Sequence, residues 1–303
     1  MPIVLVGSTA VGKTAVAMEL AVRLDGEIIN ADSMQVYQMM DIGTAKPTNE
    51  ERSKCPFHLL DLMRPDYQYT VSEWKLAAEK AIREVHSRGK QAIVCGGTGL
   101  YIKALLDNWS LAETPSNPVI RKALQKRAEV EGTSNLHEEL KQSDLITATR
   151  LHPNDGIRII RALEVFHITG KPISEHQAED REKRPRRPSQ LWGLCLPRPL
   201  LYARIEERVD EMMRLGLLEE VSSLTDMGFS PELTSMKSLG YKELVSHLQN
   251  EIDLDGAILL IKQNTRRFAK RQQTWFRADS QISWIECSEL SSAEIAVSLI
   301  SKH

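Results

Sequence analysis

Gly7-Ser8-Thr9-Ala10-Val11-Gly12-Lys13-Thr14 decides the fold. The stretch fits GxxxxGK[ST] at every fixed position. It stands between a short β-branched apolar run, Ile3 to Val6, and an Ala-rich helical pattern from Lys13 to Leu24. Strand, glycine loop and helix in that order make a phosphate cradle. The glycines let the backbone turn tightly, successive N–H groups converge on phosphate oxygens, and the helix N-terminus adds its positive dipole. Lys13 supplies a point charge, and Thr14 offers a hydroxyl ligand to Mg²⁺, the one cofactor expected.

Outward from the loop, Glu27 to Ala31 is a second strand candidate, Trp74 to Arg88 a helix stopped by Gly89, and Gln91 to Cys95 a third strand running into Gly96-Gly97. From about Ser110 to Pro188 strand-like runs vanish and charged helical stretches take over, such as Val119 to Val130 and Leu136 to Lys141. The run Arg181 to Pro188 is too charged and proline-rich to pack and is expected to be a solvated crossing. Leu191 to Leu196 then looks like a strand returning to the sheet. Helical patterns follow at Leu200 to Leu215, Leu217 to Met227 and Leu254 to Phe276. The expected fold is α/β: a parallel, P-loop NTPase-like sheet flanked by helices, with an inserted all-helical domain. Residues 1–110 form the first part of the core, 111–188 the insertion, and 189–303 the second part with its basic C-terminal helix.

Composition narrows the function classes. The 303 residues are 42% hydrophobic and 26% charged, as in a soluble globular chain. Thirty-nine Lys and Arg against 41 Asp and Glu leave a net charge of -2, which excludes a uniformly basic nucleic-acid coat. The longest apolar runs, Ile3 to Val6 and Ala257 to Ile261, fall far short of the ~20 residues that span a bilayer. Met1-Pro2 leads straight into a strand, so a secretory signal is not expected and the protein is placed in the cytoplasm, with no membrane partner. Cys55, Cys95, Cys195 and Cys287 form no CxxC pair, so neither a disulfide framework nor a zinc finger is indicated.

A phosphate loop names a ligand and leaves the reaction open. NTPases of the usual type carry an Asp for Mg²⁺ at the end of a second strand. Here Ala92-Ile93-Val94-Cys95 runs instead into Gly96-Gly97-Thr98-Gly99-Leu100-Tyr101. The acid at a strand end is Asp32, and carboxyl ends of parallel strands are where such sheets bind ligands. Asp32 suits a general base touching an acceptor, an outer partner of Mg²⁺, or a cap of its own turn with Ser33. Around Thr98 the glycines make either a tight turn or a place where a ligand approaches the backbone.

Between Asp255 and Asp279 there is no acidic residue, while Lys262, Arg266, Arg267, Lys270, Arg271 and Arg277 all fall there. Lys262, Arg266 and Lys270 recur on one helical face; Ile258, Ile261, Phe268 and Trp275 lie largely on another. The lack of interleaved Glu favours a polyanion-binding face over a merely solvated one. Pro153-Asn154-Asp155 is a helix start. Arg158 and Arg161 after it share a face and either reach a phosphate backbone or pair with Glu164. His152 is read as a turn residue, and Met34, Met39, Met40 and Met63 as packing.

These segments, taken in order, resemble the bacterial tRNA dimethylallyltransferases, also called isopentenyl transferases. The likeness rests on the phosphate loop, Asp32 to Tyr37, Asp41 to Pro47, Gly96 to Tyr101, His152 to Asp155 with Arg158 and Arg161 to Glu164, Leu239 to Lys242, and Lys270 to Arg277. Ser8 stands where proline is the usual residue, at a position the motif does not fix. The C-terminal zinc finger of eukaryotic members is absent. The resemblance implies transfer of a dimethylallyl group from dimethylallyl diphosphate to N6 of the adenosine 3′ of the anticodon, in tRNAs reading U-initial codons. It makes Gly7, Ser8, Thr9, Ala10, Val11, Gly12, Lys13 and Thr14 the diphosphate site. Asp32 becomes the general base, with Thr98 and Arg208 on the diphosphate. The tRNA anticodon stem-loop would be met by Asp32, Ser33, Met34 and Gln35; by Arg121; by Ile157, Arg158, Ile159, Ile160 and Arg161; by Met236, Lys237, Ser238, Leu239, Gly240, Tyr241 and Lys242; and by Lys270, Arg271, Gln272, Gln273, Thr274, Trp275, Phe276 and Arg277. The target base would be splayed out of the loop into a channel, and the enzyme would act as a monomer.

Three other readings fit a phosphate loop: a small-molecule kinase using ATP, an RNA-binding module regulated by a nucleotide, and an isopentenyltransferase acting on free adenine nucleotide. The insertion and the basic helix disfavour the first and third, since a small acceptor requires neither.

Overall fold

The computed structural model describes residues 1–109, 116–183 and 185–301. Its elements run β1 (Ile3–Gly7), α1 (Lys13–Arg23), β2 (Gly26–Asn30), α2 (Asn49–Lys54), β3 (Phe57–His58), α3 (Val71–Ser87), β4 (Gln91–Gly96) and α4 (Gly99–Leu106). Five helices follow: α5 (Pro118–Glu131), α6 (Thr133–Ser143), α7 (Leu145–Arg150), α8 (Gly156–Thr169) and α9 (Ile173–Lys183). The chain then returns through β5 (Gln190–Cys195), α10 (Arg198–Arg214), α11 (Leu217–Asp226), α12 (Tyr241–Leu248), α13 (Leu254–Arg277), β6 (Ser283–Glu286) and α14 (Ser292–Ser301).

The six strands form one sheet in the order β3-β2-β4-β1-β5-β6, and every pairing is parallel. A sheet covered on both faces demands strands without a polar side, and β1 and β2 are buried at every position. Register then fixes where the chemistry gathers. Asn30 pairs with Cys95 and Val6 with Gly96, so the carboxyl ends of β2, β4 and β1 emerge side by side.

Contacts divide the chain into two units. One comprises Met1–Lys103 with Pro188–His303, the other Ala104–Arg187. The first junction falls at Ala104 because the C-terminal end of α4 already belongs with the helical unit, whose two ends are clasped: the Arg187 N–H donates to the Leu106 carbonyl at 2.7 Å. Arg187 is half-buried there, so this part of the charged stretch is not a purely solvated crossing. Residues 110 and 111, where the boundary was expected, and Arg184 lie outside the described residues.

Within the sheet unit, two clusters of buried side chains frame the site. One packs α1 and α14 with β1, β4 and β5; the other gathers α11, α12 and the start of α13 around Val36, Tyr37 and Met40. Met34, Met39 and Met63 pack against the second, as filler. α13 reaches both, through Ala257 and Ile261 in one and Ala269 in the other. The helical unit has its own core, built on Leu124, Leu136, Leu140, Ile159 and Leu163. All four cysteines are free thiols, and among the described residues no helix is long and apolar enough to cross a membrane.

Candidate active site

The phosphate loop takes its shape from two backbone constraints. Gly12 has φ 95°, in the left-handed region, and caps α1. At Gly7 a Cβ would sit 2.6 Å from the Leu194 carbonyl oxygen of β5, so only glycine lets the loop leave β1 alongside its neighbour. Lys13 folds back to donate to the Ser8 carbonyl at 2.7 Å. Ser8 itself is buried, and its Oγ has no hydrogen-bond partner. Because an unsatisfied buried hydroxyl is a net loss, Ser8→Ala is expected to raise stability by about 1 kcal/mol in urea unfolding; a lower midpoint at unchanged m-value would contradict this.

Asp32 follows β2 in a loop that Asn30 shapes. The Asn30 side chain donates to the Asp32 and Leu59 carbonyls and accepts from the Asp32 N–H. Trp74, stacked on Tyr101 at 4.4 Å, donates its Nε1–H to the Asn30 carbonyl. Asp32 Oδ1 accepts from the Met34 N–H at 2.9 Å, which is the turn-capping role, while the residue also lines a cavity. A turn cap and a place on the cavity wall therefore coexist in one residue.

That cavity, about 410 Å³, is lined by Thr9, Ala10, Gly12, Lys13 and Thr14 of the loop, by Asp32 and Gln35, and by Cys95, Gly96, Gly97 and Arg208. Ile28, Pro47, Phe57 and Phe268 add apolar surface to its lining. Burial pushes the Lys13 ammonium down to about 8, against the pull of Asp32 and with the help of nearby Arg208. Arg208 is likewise lowered by burial, with Asp32 opposing. Two cations held in a desolvated wall make the cavity a ready anion site, with Asp32 and Glu51 the carboxylates that share the lining. Burial raises the Cys95 thiol to about 11, so a neutral group sits where a phosphotransferase of the usual type would carry its Mg²⁺ carboxylate.

Thr98 is placed differently from Arg208. Its hydroxyl accepts from the Ser33 N–H at 2.9 Å and donates to Ser33 Oγ at 3.2 Å, tying the turn after β4 to the loop after β2. It is not among the residues lining the cavity.

The residues matched to RNA contact are not all exposed. Met236, Tyr241, Gln272, Phe276, Ile159 and Ile160 are buried, whereas Ile157, Arg158, Lys237, Lys242, Lys270, Arg271, Thr274, Trp275 and Arg277 are at the surface. Helical periodicity explains the split: a contiguous stretch of helix turns some side chains into the core. The charges of α13 are also less naked than the sequence suggests. Lys262 pairs with Asp210 at 2.6 Å and Arg266 with Glu206, both from α10, so the missing acids are supplied by a neighbouring helix. Arg267, Lys270, Arg271 and Arg277 keep their exposed positions. In the helical unit, burial opposes ionisation of Glu164, but hydrogen bonds from Arg121 and Arg161 and from the Asn117 N–H outweigh it and hold its pKa low. Arg158 pairs with Asp155 at 3.2 Å. His152 Nδ1 accepts from the Asn154 N–H, as a turn residue does.

Sequence reasoning missed Glu220. Its carboxylate accepts from the Asp41, Ile42 and Gly43 amides and from the Tyr241 hydroxyl, which burial and this neighbouring charge raise far above its ordinary pKa. The segment it anchors continues into Thr44, Ala45, Lys46 and Pro47 on the cavity wall. Lys46 is held away from solvent by Asp41, Asp61 and the Tyr37 carbonyl. No local sequence signal marks Glu220, whose partners lie far off in the chain.

The family model described as IPP transferase matches residues 35–279. The chain belongs to the IPP transferase family. The match leaves out the phosphate loop and Asp32, so their geometry is an independent observation. A tRNA dimethylallyltransferase from Geobacter metallireducens is 50% identical over 94% of this chain and 92% of its own, and one from Carboxydothermus hydrogenoformans 46% identical over 99% and 96%. Among solved IPP transferase structures, the full-length tRNA isopentenylpyrophosphate transferase of Bacillus halodurans superposes with a TM-score of 0.73 at 37% identity, covering 99% of this chain and 95% of that one. A eukaryotic dimethylallyltransferase captured acting on tRNA gives 0.82 at 29% identity, with 99% of this chain and 77% of that one covered.

Proposed function

We propose that this transferase moves a dimethylallyl group from dimethylallyl diphosphate to N6 of the adenosine 3′ of the anticodon in tRNAs reading U-initial codons. The observation that carries the reading is a single cavity whose lining combines two desolvated cations, Lys13 and Arg208, and residues of the phosphate loop with the apolar side chains of Ile28, Phe57 and Phe268. A diphosphate joined to a short hydrocarbon calls for both kinds of lining. Asp32 lines the same cavity; as general base it would take the N6 proton as the new carbon–nitrogen bond forms and the carbon–oxygen bond to diphosphate breaks. An exocyclic adenine amine is a weak nucleophile, so positioning and stabilisation of the departing anion carry most of the rate.

Mg²⁺ fits this donor set in one manner. Among the described residues no cluster of three or more acidic, His or Cys side chains could cage a metal, but Thr14 offers its hydroxyl at the cavity beside the phosphate loop. That suits an ion held largely by substrate phosphates and water. When bound, it would neutralise charge on the leaving diphosphate.

Incubation with labelled dimethylallyl diphosphate tests the whole reading: label should enter unmodified tRNA and not AMP. Transfer to AMP, or phosphoryl transfer from ATP to a small alcohol, would overturn it. The exposed charges of α13 give a second test. Lys270→Gln with Arg271→Gln should weaken tRNA binding and reduce the salt slope by about 0.7 per lost phosphate contact. Lys262→Gln, which loses its partner Asp210, should leave the slope alone. An unchanged slope in the double variant would mean that this face is merely solvated.

A further inference from the structure

Gln272 lies in the most basic part of α13, yet its side chain is buried while Lys270, Arg271, Thr274 and Trp275 are exposed around it. Its carboxamide is used at both ends. Oε1 accepts from the Thr9 N–H of the phosphate loop at 2.8 Å, and Nε2 donates to the Gly97 carbonyl at 2.9 Å. One orientation alone satisfies an amide donor on one side and a carbonyl acceptor on the other, so the group is locked. The fit is close: a Cβ on Gly97 would stand 2.4 Å from Nε2.

The residue after Thr9 is Ala10, whose φ of 62° is a left-handed shape that a residue with a Cβ adopts only when its surroundings impose it. A fixed Thr9 amide is such an imposition. It sets the backbone just before Ala10, Gly12, Lys13 and Thr14, which line the cavity and lead into α1.

We propose that Gln272 is a positioning residue for the donor's diphosphate. It braces the phosphate loop against the turn after β4 from the inner face of α13 and does not contact RNA. The same helix thereby presents its outer face, with Lys270 and Arg271, to polyanions while its inner face holds the donor loop in binding shape. The inference rests on the reading of the cavity as a diphosphate site.

The test uses the full-length protein with inorganic diphosphate and Mg²⁺ as the calorimetric probe. Gln272→Met keeps the volume and loses both hydrogen bonds. Gln272→Asn keeps the amide but is one methylene too short to span both partners. Both variants should bind diphosphate about tenfold more weakly, as expected for the loss of a buried hydrogen bond. KM for dimethylallyl diphosphate should rise by a similar factor, kcat should change far less, and tRNA affinity should match wild type. Thermal melts establish that each variant is folded. A packing role alone predicts a normal Met variant beside a weak Asn variant, and an RNA contact predicts lost tRNA affinity; either result overturns the proposal. A wild-type protein that fails to bind diphosphate would overturn the donor-site reading and this inference with it.

Discussion

Asp32→Asn lowers the rate of dimethylallyl transfer by about 10²-fold to 10⁴-fold, the range for removal of a general base, while tRNA affinity and melting temperature stay near wild type. The substitution is chosen for the turn. Asp32 Oδ1 accepts from the Met34 N–H, and an Asn Oδ1 can accept the same bond, so the loop after β2 keeps its form. What is lost is the carboxylate, with its second oxygen available to the acceptor amine. Asp32→Ala removes both functions and should lose activity to a similar degree with an added loss of stability. The pair therefore separates chemistry from architecture. Single-turnover transfer, with tRNA binding measured in parallel, decides the matter. An Asn variant turning over at the wild-type rate would remove Asp32 from the proton transfer and leave it a turn cap.

The sheet and the phosphate loop were legible because their signals are local. Ile3 to Val6, the glycines and the helix after them lie within about twenty consecutive residues, and each element's period can be read without its neighbours. β3 and β6 were not legible. Phe57–His58 is two residues long and Ser283–Glu286 four, too short to show an alternation, and both exist because an edge of an already formed sheet accepts them. The site divides along the same line. Lys13 and Thr14 open the helix after β1 and Asp32 follows β2, and a parallel sheet gathers the segments that leave its strands, so topology alone predicts their meeting. Arg208, on α10, came only through family likeness. Glu220 and the inward turn of Gln272 depend on how α11 and α13 are rotated, which the sequence of either helix does not state. The charge run of α13 shows the reverse error. Read within one helix, Lys262 and Arg266 are unopposed; read in the fold, Asp210 and Glu206 face them.

Lys13→Met lowers kcat/KM for the prenyl donor by about 10²-fold to 10³-fold, the loss typical of one preorganised donor to a developing anion. The argument begins with what burial does to the free enzyme. Desolvation holds the ammonium's pKa near 8, below its ordinary 10.5, so between those two pH values the unfolded chain binds more protons here than the folded one, and below them the charged form carries the full cost of burial. The charged Lys13 thus opposes folding below pH 8, and that opposition fades as pH rises through 8. The Met variant, which keeps the chain length without the charge, should melt no lower than wild type. Binding runs the other way. A diphosphate in the cavity favours the ammonium and draws its pKa back up, so wild-type affinity should be greatest below pH 8 and weaken above it as the free enzyme loses the proton. In the Met variant affinity should be weak throughout, and any slope that persists belongs to the ionisation of diphosphate itself. Calorimetry between pH 6.5 and about 9.5, in buffers of differing protonation enthalpy, reads both the affinity and the proton taken up. Equal pH profiles in the two proteins would show that the ammonium does not face the anion, and the loop would then act through its amides and Arg208 alone.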